Sequence, residues 1–198
     1  MAPFAPRDPP PPARAEAVAA RKPGFGPICV AYGLFGFGYV VTATFLVTIV
    51  REAGGQGEAL VWLVVGVAAA PSILVWNRVA GRIGAGAAFA LACLAEAAGV
   101  AASVLWQGLA GALVAAALLG ATFMGITALG LAVARRTGGG EARRVVAVMT
   151  ASFGLGQIVG PVVAGALREA TGSYLSASLA AAAALLVAAA LGRISDRG

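Results

Sequence analysis

The sequence predicts an all-α membrane protein of six transmembrane helices with both termini cytoplasmic. Three observations predict it. Hydrophobic residues make up 60% of the 198 and charged residues only 11%, whereas a soluble domain carries roughly a quarter of its residues as charges. The apolar residues fall into six runs, at 27–49, 59–76, 85–106, 109–133, 145–167 and 174–191, of a length suited to roughly 30 Å of hydrocarbon. The arginines collect in alternate connections between those runs.

Residues 1–26 form a Pro- and Ala-rich basic tail with Arg7, Arg14, Arg21 and Lys22, and the proline run Pro9 to Pro12 favours extended, disordered chain. It does not read as a signal peptide, because the apolar stretch behind it is too long for an h-region and no A-x-A-like site follows. The first span turns from glycine-rich (Gly33, Gly36, Gly38) to polar (Tyr39, Thr42, Thr44, Thr48). The second contains Pro71, expected to bend its last turn, and leads into a basic turn with Arg78 and Arg82. In the third, Glu96 alone breaks the apolar run. The fourth spaces Gly120, Gly125 and Gly130 five apart around Phe123, Met124 and Thr127. The fifth is described below. The sixth is mostly alanine and leucine, and 192–198 is a charged cytoplasmic tail.

Orientation follows from the basic residues. With the N-terminus inside, the inner segments hold Arg7, Arg14, Arg21, Lys22, Arg78, Arg82, Arg135, Arg136, Arg143, Arg144, Arg193 and Arg197. The short outer loops then hold only Arg51 and Arg168, each followed by a glutamate. That bias is the positive-inside pattern.

The most informative stretch is Ala151 to Ala166, ASFGLGQIVGPVVAGA. Gly156, Gly160 and Ala164 recur every fourth residue, which places them on one helix face and admits a second backbone at close range. Pro161 removes the N–H that would satisfy the carbonyl of Gln157, the one strongly polar side chain of the run. A kinked, tightly packed helix with a polar point at mid-depth is expected there.

Composition excludes several functions. The net charge of +6 comes without a basic stripe interleaved with aromatics, so nucleic acid is not expected as a partner. With no histidine, Ser-His-Asp and Cys-His chemistry and the usual zinc sites are excluded. Cys29 and Cys93 make neither a disulfide framework nor a metal site. Gly33, Gly36 and Gly38 lie inside a span with no preceding strand, unlike a phosphate loop. An enzyme, a cofactor and a metal are therefore not expected, and the lipid bilayer is the first partner. One lysine against thirteen arginines, with abundant alanine, fits a GC-rich bacterial genome.

The runs YGLFGFGYVVTATFL (Tyr32 to Leu46), GATFMGITALGLAVARR (Gly120 to Arg136) and MTASFGLGQIVGPVVAG (Met149 to Gly165) resemble the C-terminal half of a major facilitator superfamily (MFS) transporter, and most nearly the YbfB/YjiJ family of bacterial inner-membrane transporters. The resemblance runs from Pro27 to Leu191. The turn Ala80-Gly81-Arg82-Ile83-Gly84 is similar to the superfamily's cytoplasmic loop signature, of which Arg82 and Gly84 survive. Gly81 stands at the acidic position, and Val47 stands where this family would have a proline. The resemblance implies a half-transporter bundle in the bacterial inner (plasma) membrane. Its first, second, fourth and fifth helices would line a substrate cavity, with the third and sixth as outer supports. The Gly156–Gly165 element would pack on the opposite half and set a rocking motion. Members of the superfamily carry two such halves with the substrate between them. A second six-helix half, another copy or a separate chain, is therefore an expected partner.

The expected function is secondary transport of a small organic solute by alternating access, coupled to protons. The alternative is a truncated non-transporting remnant or a membrane interaction protein. Substrate-cavity candidates are Tyr39, Thr42, Thr44, Met124, Thr127 and Gln157. The threonines have the second option of bonding their own helix carbonyls, and Gln157 that of bonding across helices. Gly156, Gly160, Pro161 and Ala164 are packing and hinge candidates. Glu96 is a candidate for proton coupling, being ionisable in mid-span; its other reading is a protonated hydrogen-bonding group on an outer helix. Trp62 and Trp106 are expected as interfacial anchors.

Overall fold

In lipid a backbone satisfies its polar groups within a helix, and each apolar run does so. A computed structural model describes residues 22–52, 57–106, 108–140 and 142–196, and these form six helices. They are α1 (Phe25–Glu52), α2 (Glu58–Ile83), α3 (Ala85–Leu105), α4 (Leu109–Thr137), α5 (Ala142–Thr171) and α6 (Tyr174–Ser195). All six are long and apolar enough to cross a membrane. The disordered tail expected over 1–26 lies outside the described residues as far as 21.

The helices run past the apolar stretches. α2 continues through Asn77 to Ile83, so Arg78 and Arg82 ride on its final turns rather than in a turn. Long basic side chains tolerate this because they reach the interface while their stems stay apolar. The turn itself is a single residue, Gly84, at φ +86°, a conformation other side chains rarely adopt. α6 begins on a proper cap, with Ser173 Oγ accepting from the Leu175 N–H at 3.1 Å.

The bundle has two layers. α5, α1, α4 and α2 lie side by side in one, and α6 and α3 back the central pair α1 and α4. Buried residues fill 50% of the α4 window and 56% of that of α3, against 11% for α2 and 17% for α5. The flanking helices of the first layer thus carry the most open apolar surface, including Leu63, Val67, Ile158 and Val162. Phe35, Phe89, Ile126, Met149 and Leu185 form the main core where α1, α3, α4, α5 and α6 meet.

The two ends differ in charge. The first described residues meet α4 and α6 at one end, where the Lys22 N–H donates to the Thr137 carbonyl at 2.9 Å. Arg78, Arg82, Arg135, Arg136, Arg143, Arg144 and Arg193 belong to that end. At the other, Arg51 and Glu58 form a two-pronged ion pair between α1 and α2, with Nη2 to Oε2 at 2.8 Å. Trp62 and Trp106 lie exposed toward this second end.

Candidate functional site

The site is built where α1, α4 and α5 meet in the first layer. Tyr32, Phe35 and Tyr39 fall at i, i+3 and i+7 on α1 and therefore share one face. Phe153 of α5 sits 5.4 Å from both Tyr32 and Phe35, ring centre to ring centre, and Phe123 of α4 stacks on Tyr39 at 4.3 Å and 22°. Offset and tilted aromatic contacts of this kind add to simple area burial. The result is an aromatic seam tying three helices, with Tyr39 half-buried at its edge.

Polar groups follow the seam. Gln157 lies one turn beyond Phe153 on the same face of α5, half-buried, and among the described residues no hydrogen bond of its side chain is found. Met124 is exposed, and Thr127 is half-buried with its hydroxyl donating to the Phe123 carbonyl at 2.9 Å. Thr44 is exposed and bonds the Val40 carbonyl at 2.7 Å. Thr42 differs from the others. It is 5% exposed and donates to the Gly38 carbonyl at 2.7 Å. Its polarity is absorbed inside its own helix.

Between α1 and α5, toward the arginine-poor end, lies an open cleft of about 440 Å³ lined by Thr44, Phe45, Pro161, Ala164, Arg168 and Glu169 among others. Thr44 and Pro161 come together there; Tyr39, Met124, Thr127 and Gln157 do not line it. Arg168 also stands over the ring of Tyr174 at 4.2 Å, a cation–π contact that holds the α5–α6 connection.

The small-residue face of α5 does not point where the resemblance puts it. Gly156, Gly160 and Ala164 are buried against α1 of the same chain. A β-carbon on Gly33, Gly36 or Gly156 would strike the other helix: Gly36 would meet the Phe153 carbonyl oxygen at 2.4 Å, and Gly160 would meet Val40 at 2.5 Å. Ser152 adds a hydrogen bond to the Cys29 carbonyl across the same contact. The glycine spacing serves the internal α1–α5 pair, and the outward face of α5 carries Leu155, Ile158, Val162 and the exposed Pro161. α5 remains one helix through Pro161.

Glu96 of α3 is 1% exposed and sits against α4, where its Oε2 lies 3.1 Å from the Thr122 hydroxyl. Among the described residues its Oε1 has no partner. Thr122 precedes Phe123, so the carboxyl lies one helix behind the aromatic seam.

At the arginine-rich end Arg82 is exposed, and none of the ion pairs among the described residues involves it. The acid near this turn comes from elsewhere. Asp196, just past α6, pairs with Arg136 at 2.9 Å and lies beside Gly84 and Gly86. A lone aspartate far along the chain carries no local signal of that role. Ser72 and Trp76, also missed by sequence reasoning, both donate to the Ala121 carbonyl, at 2.8 and 2.7 Å, and fasten α2 to α4. Their i, i+4 spacing was the available signal.

Six membrane-length helices in two layers define a multi-pass membrane protein. The family model described as "Uncharacterised MFS-type transporter YbfB" matches residues 1–193, and the chain belongs to that family of major facilitators. The match takes in the N-terminal stretch that the motifs left outside the resemblance. No curated protein matches the chain.

Proposed function

We propose that this chain forms one six-helix unit of a proton-coupled transporter in the bacterial inner membrane, with its arginine-rich end in the cytoplasm. It moves a small organic solute by alternating access. The observation that carries this reading is the Tyr39–Phe123 stack with Gln157 and Thr127 beside it: a partly open aromatic and amide surface where α1, α4 and α5 meet. Aromatic faces bind apolar or delocalised parts of a solute, and an amide without an internal partner offers both a donor and an acceptor. No lysine, arginine or carboxylate belongs to this seam. A neutral or zwitterionic solute is therefore favoured over a highly charged one.

A second six-helix unit completes the cavity against the α2 and α5 flanks. The glycine face of α5, being occupied by α1, takes no part in that contact. The partner meets the outward apolar residues of α2 and α5 instead.

The test is transport in proteoliposomes that contain the protein as extracted from its own membrane together with any co-purifying chain, and a trapped pH indicator. A panel of small neutral and zwitterionic solutes should include one that drives proton movement and accumulates. If no solute moves and no imposed proton gradient collapses, transport is wrong. The exposed, unpaired Arg82 would then favour the interaction-protein reading, in which the apolar flanks hold a partner without moving anything.

A further inference from the structure

Thr122 has one hydroxyl proton and three oxygens around it. The Leu118 carbonyl lies at 2.7 Å, the Leu119 carbonyl at 3.3 Å and Glu96 Oε2 at 3.1 Å. The shortest contact, to the carbonyl four residues back, is the usual threonine bond in a membrane helix and claims that proton. The threonine oxygen and Glu96 Oε2 then face each other with lone pairs only, unless the carboxyl carries a proton of its own.

Two further observations point the same way. Oε1 of Glu96 is buried and has no partner among the described residues, a heavy penalty for a carboxylate and a lighter one for the carbonyl oxygen of a neutral acid. No cation is at hand among the described residues. α4 has no charged residue between Leu109 and Ala134, and α3 has none but Glu96. α6 brings only Tyr174 and Arg193, near its two ends, and the charges of α2 (Glu58, Arg78, Arg82) also lie near its ends. The titratable groups that feel the carboxyl are Tyr39 of α1 and Cys93 of α3 itself, neither of them a counter-charge. A bare ion in that setting is untenable.

We propose that Glu96 is a proton-binding site: a neutral carboxylic acid whose Oε2–H donates to Thr122 Oγ1, while Thr122 donates to the Leu118 carbonyl. The acid proton is the ligand, and the hydrogen-bond chain joins α3 to α4 directly behind Phe123 and the Tyr39 ring. Releasing the proton would leave a buried carboxylate to which Thr122 could donate only by giving up the Leu118 carbonyl. Loss of the proton therefore requires that the Thr122–Leu118 bond break or that water reach Oε1. The inference stands on the Glu96–Thr122 geometry alone and holds whether or not the chain transports a solute.

Infrared difference spectroscopy of the full chain in lipid bilayers at neutral pH tests it, comparing the protein with E96Q. The expected difference is loss of one carboxylic-acid C=O band, which shifts in D2O as an exchangeable acid should. Loss of a pair of carboxylate bands instead overturns the proposal. T122V should displace the acid band, because it removes the acceptor of the acid proton; an unmoved band overturns the Thr122 link. Should E96Q not fold, raising the pH over the unaltered protein reads the same group. The acid band should stand at neutral pH and give way to carboxylate bands as the pH is raised, and a group already ionised at neutral pH again overturns the assignment. These readouts involve no solute, so their failure is distinct from failure of transport.

Discussion

Gly156 of α5 lies directly on the backbone of Gly33 of α1, so close that a β-carbon at 156 would stand 1.9 Å from the Gly33 carbonyl oxygen. Backbone cannot move aside as a flexible side chain does, so G156A forces the two helices apart. A loss of about 2–3 kcal/mol is expected. G154A, where nothing lies within 4 Å of the added carbon, should be neutral or stabilising by up to about 1 kcal/mol. Among the described residues neither Cys29 nor Cys93 forms a disulfide and both are packed, so thermal unfolding in nanodiscs followed by thiol labelling reads both variants. Equal midpoints for the two would show that the α1–α5 contact is not held by glycine.

The Arg136–Asp196 pair is 2.9 Å long, but its side chains are 55% and 25% exposed. Exposed pairs contribute about 1 kcal/mol or less. D196N should therefore cost little, and the cost should shrink further in high salt. Gly86 nearby is another matter, since an added β-carbon would meet Asp196 Cβ at 2.4 Å and the Gly192 carbonyl oxygen at 2.8 Å. G86A is expected to destabilise by about 1–3 kcal/mol, and the same thiol-labelling melt ranks the two. A larger effect from D196N would mean that the charge pair with α4, not the close packing on α3, fastens the end of α6.

Ser72 and Trp76 share one acceptor, the Ala121 carbonyl, and the Gly125 N–H that would take that oxygen in a regular helix donates to Ser72 Oγ at 3.1 Å. S72A and W76F each remove a donor to that carbonyl and should each cost about 1 kcal/mol. Because either donor alone still satisfies the oxygen, the double variant should lose more than the sum of the single losses. A melt of the three variants decides it, and strict additivity would show that the two bonds are independent.

Six helices were legible from hydropathy because each run had to satisfy its backbone alone in lipid, and the charge asymmetry of the two ends was legible from the arginines. The partner of each helix face was not. The spacing of Gly156, Gly160 and Ala164 states that another backbone comes close, but not whose, and α1 of the same chain proved to be the answer. Thr42 and Thr44 look alike in sequence two residues apart. A helix turns about 200° over that step, which buries one and exposes the other. The aromatic seam was half legible: Tyr39, Met124 and Thr127 were read for their polarity or place, while Tyr32, Phe35 and Phe153 carried no signal of their own. Glu96 drew notice as a mid-span acid, yet its bond to Thr122, 26 residues on, depends on the α3–α4 register that hydropathy does not carry.

Gln157 separates solute binding from folding more cleanly than any other residue of the seam. Its side chain is half-buried and makes no hydrogen bond among the described residues, so the folded bundle does not lean on it. Q157A should leave the thermal midpoint nearly unchanged, within about 0.5 kcal/mol of the original protein. Removing an amide that bonds solute should raise the half-saturating solute concentration about tenfold, equivalent to about 1.4 kcal/mol. T42V supplies the opposite control, since its hydroxyl is spent on the Gly38 carbonyl and faces no opening. It should leave half-saturation untouched. Solute-dependent proton uptake into proteoliposomes measures both. If Q157A transports as well as the original while T42V fails, the solute path runs through the buried side of α1 and not along the Tyr39–Phe123 seam.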